Sequence, residues 1–175
     1  MHFSNLPIVA VLALAAGLVT SAPTADNLLT ISHVVAVGEY NLTYWTDAPV
    51  TPIAARAPAP RACTGATDVT CSGSHAASPT LCTQLIATVN ANSGNIIGDA
   101  PRAVCLGQSS NQCCISWSDA VGPMLQGALA PAATKVFDVC FADSALLESG
   151  LDRDVILNGG CVTQCLSNRP GGCTN

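Results

Sequence analysis

The chain has 175 residues, with ten Cys, two Trp, two Tyr and three Phe, and a net charge of −5. Six Lys and Arg against eleven Asp and Glu exclude a surface built to neutralise phosphates, so nucleic acid is not an expected partner. No apolar run reaches the roughly 18 residues of a membrane-spanning helix, so no transmembrane anchor is expected.

In chain order, residues 8–19 (IVAVLALAAGLV) form an apolar stretch near Met1, followed by Thr20, Ser21 and Ala22. This is the length of a signal-peptide core, and the small residues fit cleavage after Ala22, so residues 1–22 are expected to be a signal peptide. Residues 23–61 are expected to be a propeptide or spacer. Leu28, Leu29, Ile31, Val34, Val35 and Val37 give it one stretch that reads as a strand. Asn41-Leu42-Thr43 is the single N-glycosylation sequon and makes Asn41 a candidate modification site. Residues 48–61 (APVTPIAARAPAPR) are a Pro/Ala-rich linker, with Arg56 and Arg61 as candidate processing points.

All ten cysteines, Cys63, Cys71, Cys82, Cys105, Cys113, Cys114, Cys140, Cys161, Cys165 and Cys173, lie in residues 62–175, which are expected to be one cysteine-rich domain. Residues 67–72 supply a first strand. Ser78-Pro79 then starts a helix, Leu81, Cys82, Leu85, Ile86 and Val89 form its apolar face, and Asn92-Ser93-Gly94 stops it. Residues 103–107 and 112–118 read as a strand pair around the loop 108–111. In the second of these strands Cys113, Ile115 and Trp117 share one face while Cys114, Ser116 and Ser118 share the other, so the adjacent cysteines can tie the strand to two layers. A second helix starts at Pro131 and buries Ala133, Val136, Phe137, Cys140 and Phe141. Residues 154–157, Asn158-Gly159 and residues 161–166 read as strand, turn and strand. The order β-α-β-β-α-β, with one extra hairpin strand, predicts an α+β fold: an antiparallel sheet of four to five strands with two helices on one face, forming a small two-layer sandwich stapled by disulfides.

Each helix carries one cysteine on its buried face, which suits a bridge from helix to sheet. Cys161 and Cys165 on one strand stand about 13 Å apart at roughly 3.3 Å per residue, so they do not pair with each other. Cys173 is expected to pin the C-terminus. The rest of the connectivity is open. No C-x-x-C occurs and His75 is the only histidine of the domain, so no metal and no other cofactor is expected. His75 would have to be the base of any nucleophilic triad, yet no G-x-S-x-G accompanies it, and a loop histidine is the plainer reading. Asp152 and Asp154 flank Arg153 and invite a paired-carboxylate reading, against which stands a solvated loop before a strand. Trp117 offers a stacking surface for a sugar, but the residues sharing its strand face place it in the core. Gly171-Gly172 has no phosphate-loop context. No catalytic residue is assigned.

The segments CSGSH from Cys71, PRAVCLGQ from Pro101, NQCCISWS from Asn111 and CVTQCLSNR from Cys161 resemble the secreted fungal WD-like domain proteins over about residues 62–175. The chain has no Trp-Asp dipeptide and is too short for a propeller. The resemblance implies a fungal source and an extracellular site, and it carries over no catalytic residue. In element order and size the domain also looks like fungal killer toxins of the KP4 type and the necrosis-inducing effectors grouped as Hce2, a likeness of architecture that does not fix function. The expected function is that of a secreted, non-enzymatic effector or toxin. Its expected partner is an extracellular protein, glycan or membrane component of another cell, and it is expected to act as a monomer. The alternative is a structural or wall-associated protein of the producing fungus, and a third reading is an enzyme built around His75.

Overall fold

The computed structural model describes residues 29–48, 63–64, 68–98, 101–108, 111–142, 148–171 and 173. The expected signal peptide, residues 49–61 of the linker and both candidate processing arginines lie outside the described residues.

The elements run β1 (Leu29–Val37), β2 (Tyr40–Asp47), β3 (Val69–Ala77), α1 (Pro79–Ala91), β4 (Ile96–Ile97), β5 (Pro101–Gln108), β6 (Asn111–Trp117), β7 (Met124–Leu125), a 3₁₀ turn (Gln126–Leu129), α2 (Ala130–Cys140), β8 (Glu148–Leu157) and β9 (Gly160–Ser167). Seven strands form one antiparallel sheet in the order β1-β2-β5-β6-β9-β8-β3, and β4 and β7 pair as a separate short ribbon. The fold is therefore α+β with two helices, as the pattern predicts, but the sheet has seven strands rather than four to five. The five strands expected within the cysteine domain all form. The other two come from the segment expected to be a spacer: Leu42 is buried, and residues 41–46 of β2 pair with residues 101–107 of β5. A cysteine-free hairpin thus joins the sheet by backbone ladder, apolar burial and side-chain polar contacts, with no covalent bridge.

Both helices pack on one face of the sheet. In α1 the buried residues are Leu81, Cys82, Leu85 and Val89, the spacing of a single helical stripe. Ser78 precedes it in extended conformation and accepts the Cys82 N–H at 3.0 Å through its carbonyl, with no bond from its hydroxyl. In α2 the buried stripe is short-chained, with Ala130, Ala132, Ala133, Val136 and Cys140, and this lets the helix lie close to β8. Gly150 marks the contact: a Cβ there would stand 2.6 Å from Cys140 Sγ and 2.7 Å from Val136 Cγ1. The centre of the core is Trp117, Ile115, Leu106, Leu85, Leu129 and Leu166, all almost fully buried. The β8–β9 turn at Asn158-Gly159 has φ of 47° and 79°, the mirror-image hairpin geometry that an Asn-Gly pair accommodates.

The ten cysteines form five bridges: Cys63–Cys161, Cys71–Cys140, Cys82–Cys113, Cys105–Cys114 and Cys165–Cys173. Two of them run from helix to sheet, Cys82 of α1 to β6 and Cys140 of α2 to β3. Cys161 and Cys165 have separate partners, and Cys173 is tied to Cys165 on β9. Cys114 departs from expectation. It bonds its directly opposite neighbour Cys105 on β5, so it reinforces the sheet on the face away from the helices instead of reaching another layer. That face is buried at its centre too, with Ala103, Cys105, Cys114, Ser116 and Cys165 at most 4 % exposed.

Candidate functional site

The residues that the sequence offers for catalysis are dispersed. His75 is exposed on the edge strand β3 with φ 56°, and its backbone carbonyl accepts the Asn168 N–H at 2.9 Å. Asp152 is not in a solvated loop: it lies within β8, is 2 % exposed, and pairs with Lys135 of α2 at 3.0 Å. Asp154 sits in the bulged part of β8 with φ 58° and accepts from the backbone N–H and hydroxyl of Thr64. The two carboxylates thus serve different structural partners. Cys63, Asp154 and Cys161 come close enough to resemble a metal cluster, but the two sulfurs are bonded to each other and hold no thiolate for an ion. Trp117 is in the core, as its strand face predicts. Asn41 is exposed on β2, opposite Ala36 and Gly107, on the sheet face away from the helices.

A different place stands out. On the helix side of β1 and β2, the hairpin and the β4–β7 ribbon enclose a groove of about 550 Å³. One wall is built by a bulge: β1 inserts an extra residue between Ile31 and His33, opposite Trp45 and Tyr44. The bulge leaves Ser32 free to donate its hydroxyl to the Tyr44 carbonyl at 3.1 Å and turns His33 against the Tyr44 ring, with centroids 5.6 Å apart. Val35, two residues on, lines the same wall. The other wall is Ile96 and Ile97, with Pro101 and Gln126 completing the lining.

Gln126 is the polar centre of this groove. It is fully buried, and its backbone N–H donates to the Asn95 carbonyl at 2.8 Å. Its side-chain Oε1 accepts the Tyr44 hydroxyl at 2.9 Å, while its Nε2 has no partner among the described residues. Burial pushes the Tyr44 hydroxyl above its usual value of 10.0, and the bond to Gln126 offsets part of that shift. Tyr44 is therefore a neutral donor at physiological pH. No Asp, Glu, Lys or Arg among the described residues lines the groove.

Apolar side chains extend from the groove onto the surface. Among the described residues, three exposed large hydrophobics stand at this end: Val35 on the groove side of β1 and the cross-strand pair Ile96 and Leu125, at 71 % and 54 % exposure, while the exposed Ile31 and Val34 of β1 stand on the opposite sheet face. Drawing a domain boundary at residue 62 hides this site from sequence reasoning, because His33 and Tyr44 then fall outside the domain. Alternation of apolar residues in β1 is the one signal that points to it.

Residues 52–173 match the family model described as Fungal WD-like, and the chain belongs to that family. No curated protein and no solved structure matches the chain, so the likeness to killer toxins and Hce2 effectors gains no support from these comparisons.

Proposed function

We propose that this fungal WD-like protein is secreted and acts without catalysis, as an effector- or toxin-like protein that binds a surface molecule of another cell. The apolar end carries this reading. Side chains such as Ile96 and Leu125 cost free energy when left in water, and a cluster of them beside a groove is the usual mark of a binding surface. The exposed Val35, Ile96 and Leu125 favour a protein or membrane component over a glycan as the partner, because a glycan's many hydroxyls would lose water against those side chains. The paired cysteines support an extracellular life, since an oxidising compartment lets such bridges form and persist. Residues 8–19 support export in the same sense.

The test is a growth and membrane-permeability assay on fungal and plant cells, using oxidised protein with a reduced and alkylated control. Damage or binding by the oxidised form alone is the expected result. Absence of any effect on other cells, with retention in the wall of the producer, would replace this reading by that of a wall protein.

A further inference from the structure

We infer that the groove between the hairpin and the β4–β7 ribbon binds a neutral, mainly apolar molecule carrying a single hydroxyl or carbonyl group, as a sterol does. For the source of that molecule, a membrane lipid of the target cell, the inference rests on the function proposed above. Three observations converge. The groove's volume of about 550 Å³ falls inside the roughly 300–1,000 Å³ of small-molecule sites. Its walls carry Val35, Ile96, Ile97 and Pro101, which reward burial of hydrocarbon, beside the polar Ser32, His33, Tyr44 and Asn95, of which Ser32 and Tyr44 already donate their hydroxyls within the protein. Its one fully buried polar side chain, Gln126, keeps an amide Nε2 without a partner. A buried donor left unpaired costs more than the bond it would make is worth, so a ligand oxygen there recovers that cost.

The same features set the limits of what fits. A carboxylate or phosphate would lose its hydration with no Lys or Arg among the described lining residues to replace it. A sugar would set several of its hydroxyls against Val35, Ile96, Ile97 and Pro101. A single hydroxyl or carbonyl matches the single orphan amide, and the Tyr44 hydroxyl beside it holds Gln126 in place at 2.9 Å.

Dehydroergosterol, a fluorescent sterol with one hydroxyl, is the probe. The oxidised full chain is titrated with it free in solution and in phosphatidylcholine vesicles, with oleyl alcohol, oleate and chitohexaose as competitors. Saturable binding is expected, with competition by oleyl alcohol and none by oleate or chitohexaose. The free and vesicle arms separate a soluble ligand from a membrane one, and either location supports the site. Ile96→Arg and Val35→Arg, both at exposed positions, should weaken binding at least about tenfold with unchanged melting. Gln126→Met should do so by about tenfold through loss of the hydrogen bond. No saturable binding, equal competition by oleate or chitohexaose, or unchanged binding in both arginine variants overturns the inference. Cell binding measured on the same samples separates the two proposals: cells bound without probe binding sinks the ligand assignment alone, and probe binding without cell binding sinks the proposed function.

Discussion

The hairpin is held without a covalent bridge, and its strongest polar anchor is the pair Asp47–Arg102. Arg102 Nη1 donates to both carboxylate oxygens of Asp47, at 2.8 and 3.0 Å. The other guanidinium nitrogens are engaged by the body of the protein, Nε with the Trp117 carbonyl at 3.2 Å and Nη2 with the Ser118 carbonyl at 2.7 Å. Replacing Asp47 by Ala leaves a guanidinium with 9 % side-chain exposure facing only neutral acceptors. Fully buried pairs cost about 3–5 kcal/mol to break and exposed ones about 0–1 kcal/mol, and the Asp47 side chain, 32 % exposed, places this pair between them, at about 1–3 kcal/mol. All five disulfides lie at residue 63 or beyond, so the loss falls on local opening of the hairpin rather than on the stapled body. Hydrogen exchange followed by mass spectrometry should show amides of β1 and β2 exchanging about 5- to 150-fold faster in Asp47→Ala, while those of α1 are unchanged. Arg102→Met, which removes the charge together with its partner's role, should accelerate exchange less. Unchanged exchange in the hairpin, or equal acceleration in α1, would refute the claim that the hairpin opens as its own unit.

Gly150→Ala should lower stability by about 1–3 kcal/mol in denaturant melts, because the new methyl crowds both Cys140 Sγ and Val136 Cγ1. Among the bridges, replacing both cysteines of Cys63–Cys161, which closes 98 residues, should cost about 5 kcal/mol, against about 2.5 kcal/mol for Cys165–Cys173, which closes 8, read from the same melts. Subtracting the alkaline absorbance titration of Tyr44→Phe from that of the wild type should give a midpoint above 10.0. Since the folded value is the raised one, the stability contributed by the neutral phenol is fully present below pH 10.0 and is lost as pH climbs through the folded midpoint, a loss that Tyr44→Phe should remove.

Local chemistry made much of the domain readable in advance. Ser78-Pro79 and Asn92 bracket α1 because caps and breakers act within a few residues, and Asn158-Gly159 marks its hairpin for the same reason. Alternation around Cys113 separates the two sheet faces correctly, yet it cannot say that Cys114 meets Cys105, because that depends on register between strands. The place of β1 and β2 was hidden for a related reason. Their strand character is visible in the apolar residues from Leu29 to Val37, but pairing with β5 crosses more than fifty residues and leaves no local mark. The β4–β7 ribbon is two residues a side, too short for any period, so the groove wall formed by Ile96 and Ile97 could not be foreseen. Asp152 reads as a surface acid in the sequence because only the packing of α2 brings Lys135 to it.

The central claim is that the apolar end formed by the hairpin and the ribbon is the working surface. Binding of fluorescently labelled oxidised protein to fungal and plant cells, wild type against the double variant Ile96→Arg, Leu125→Arg, tests it most directly. Both positions are exposed, so the variant should melt with the wild type. The account predicts that the double variant loses cell binding while keeping its fold. Equal binding by the two proteins would contradict it.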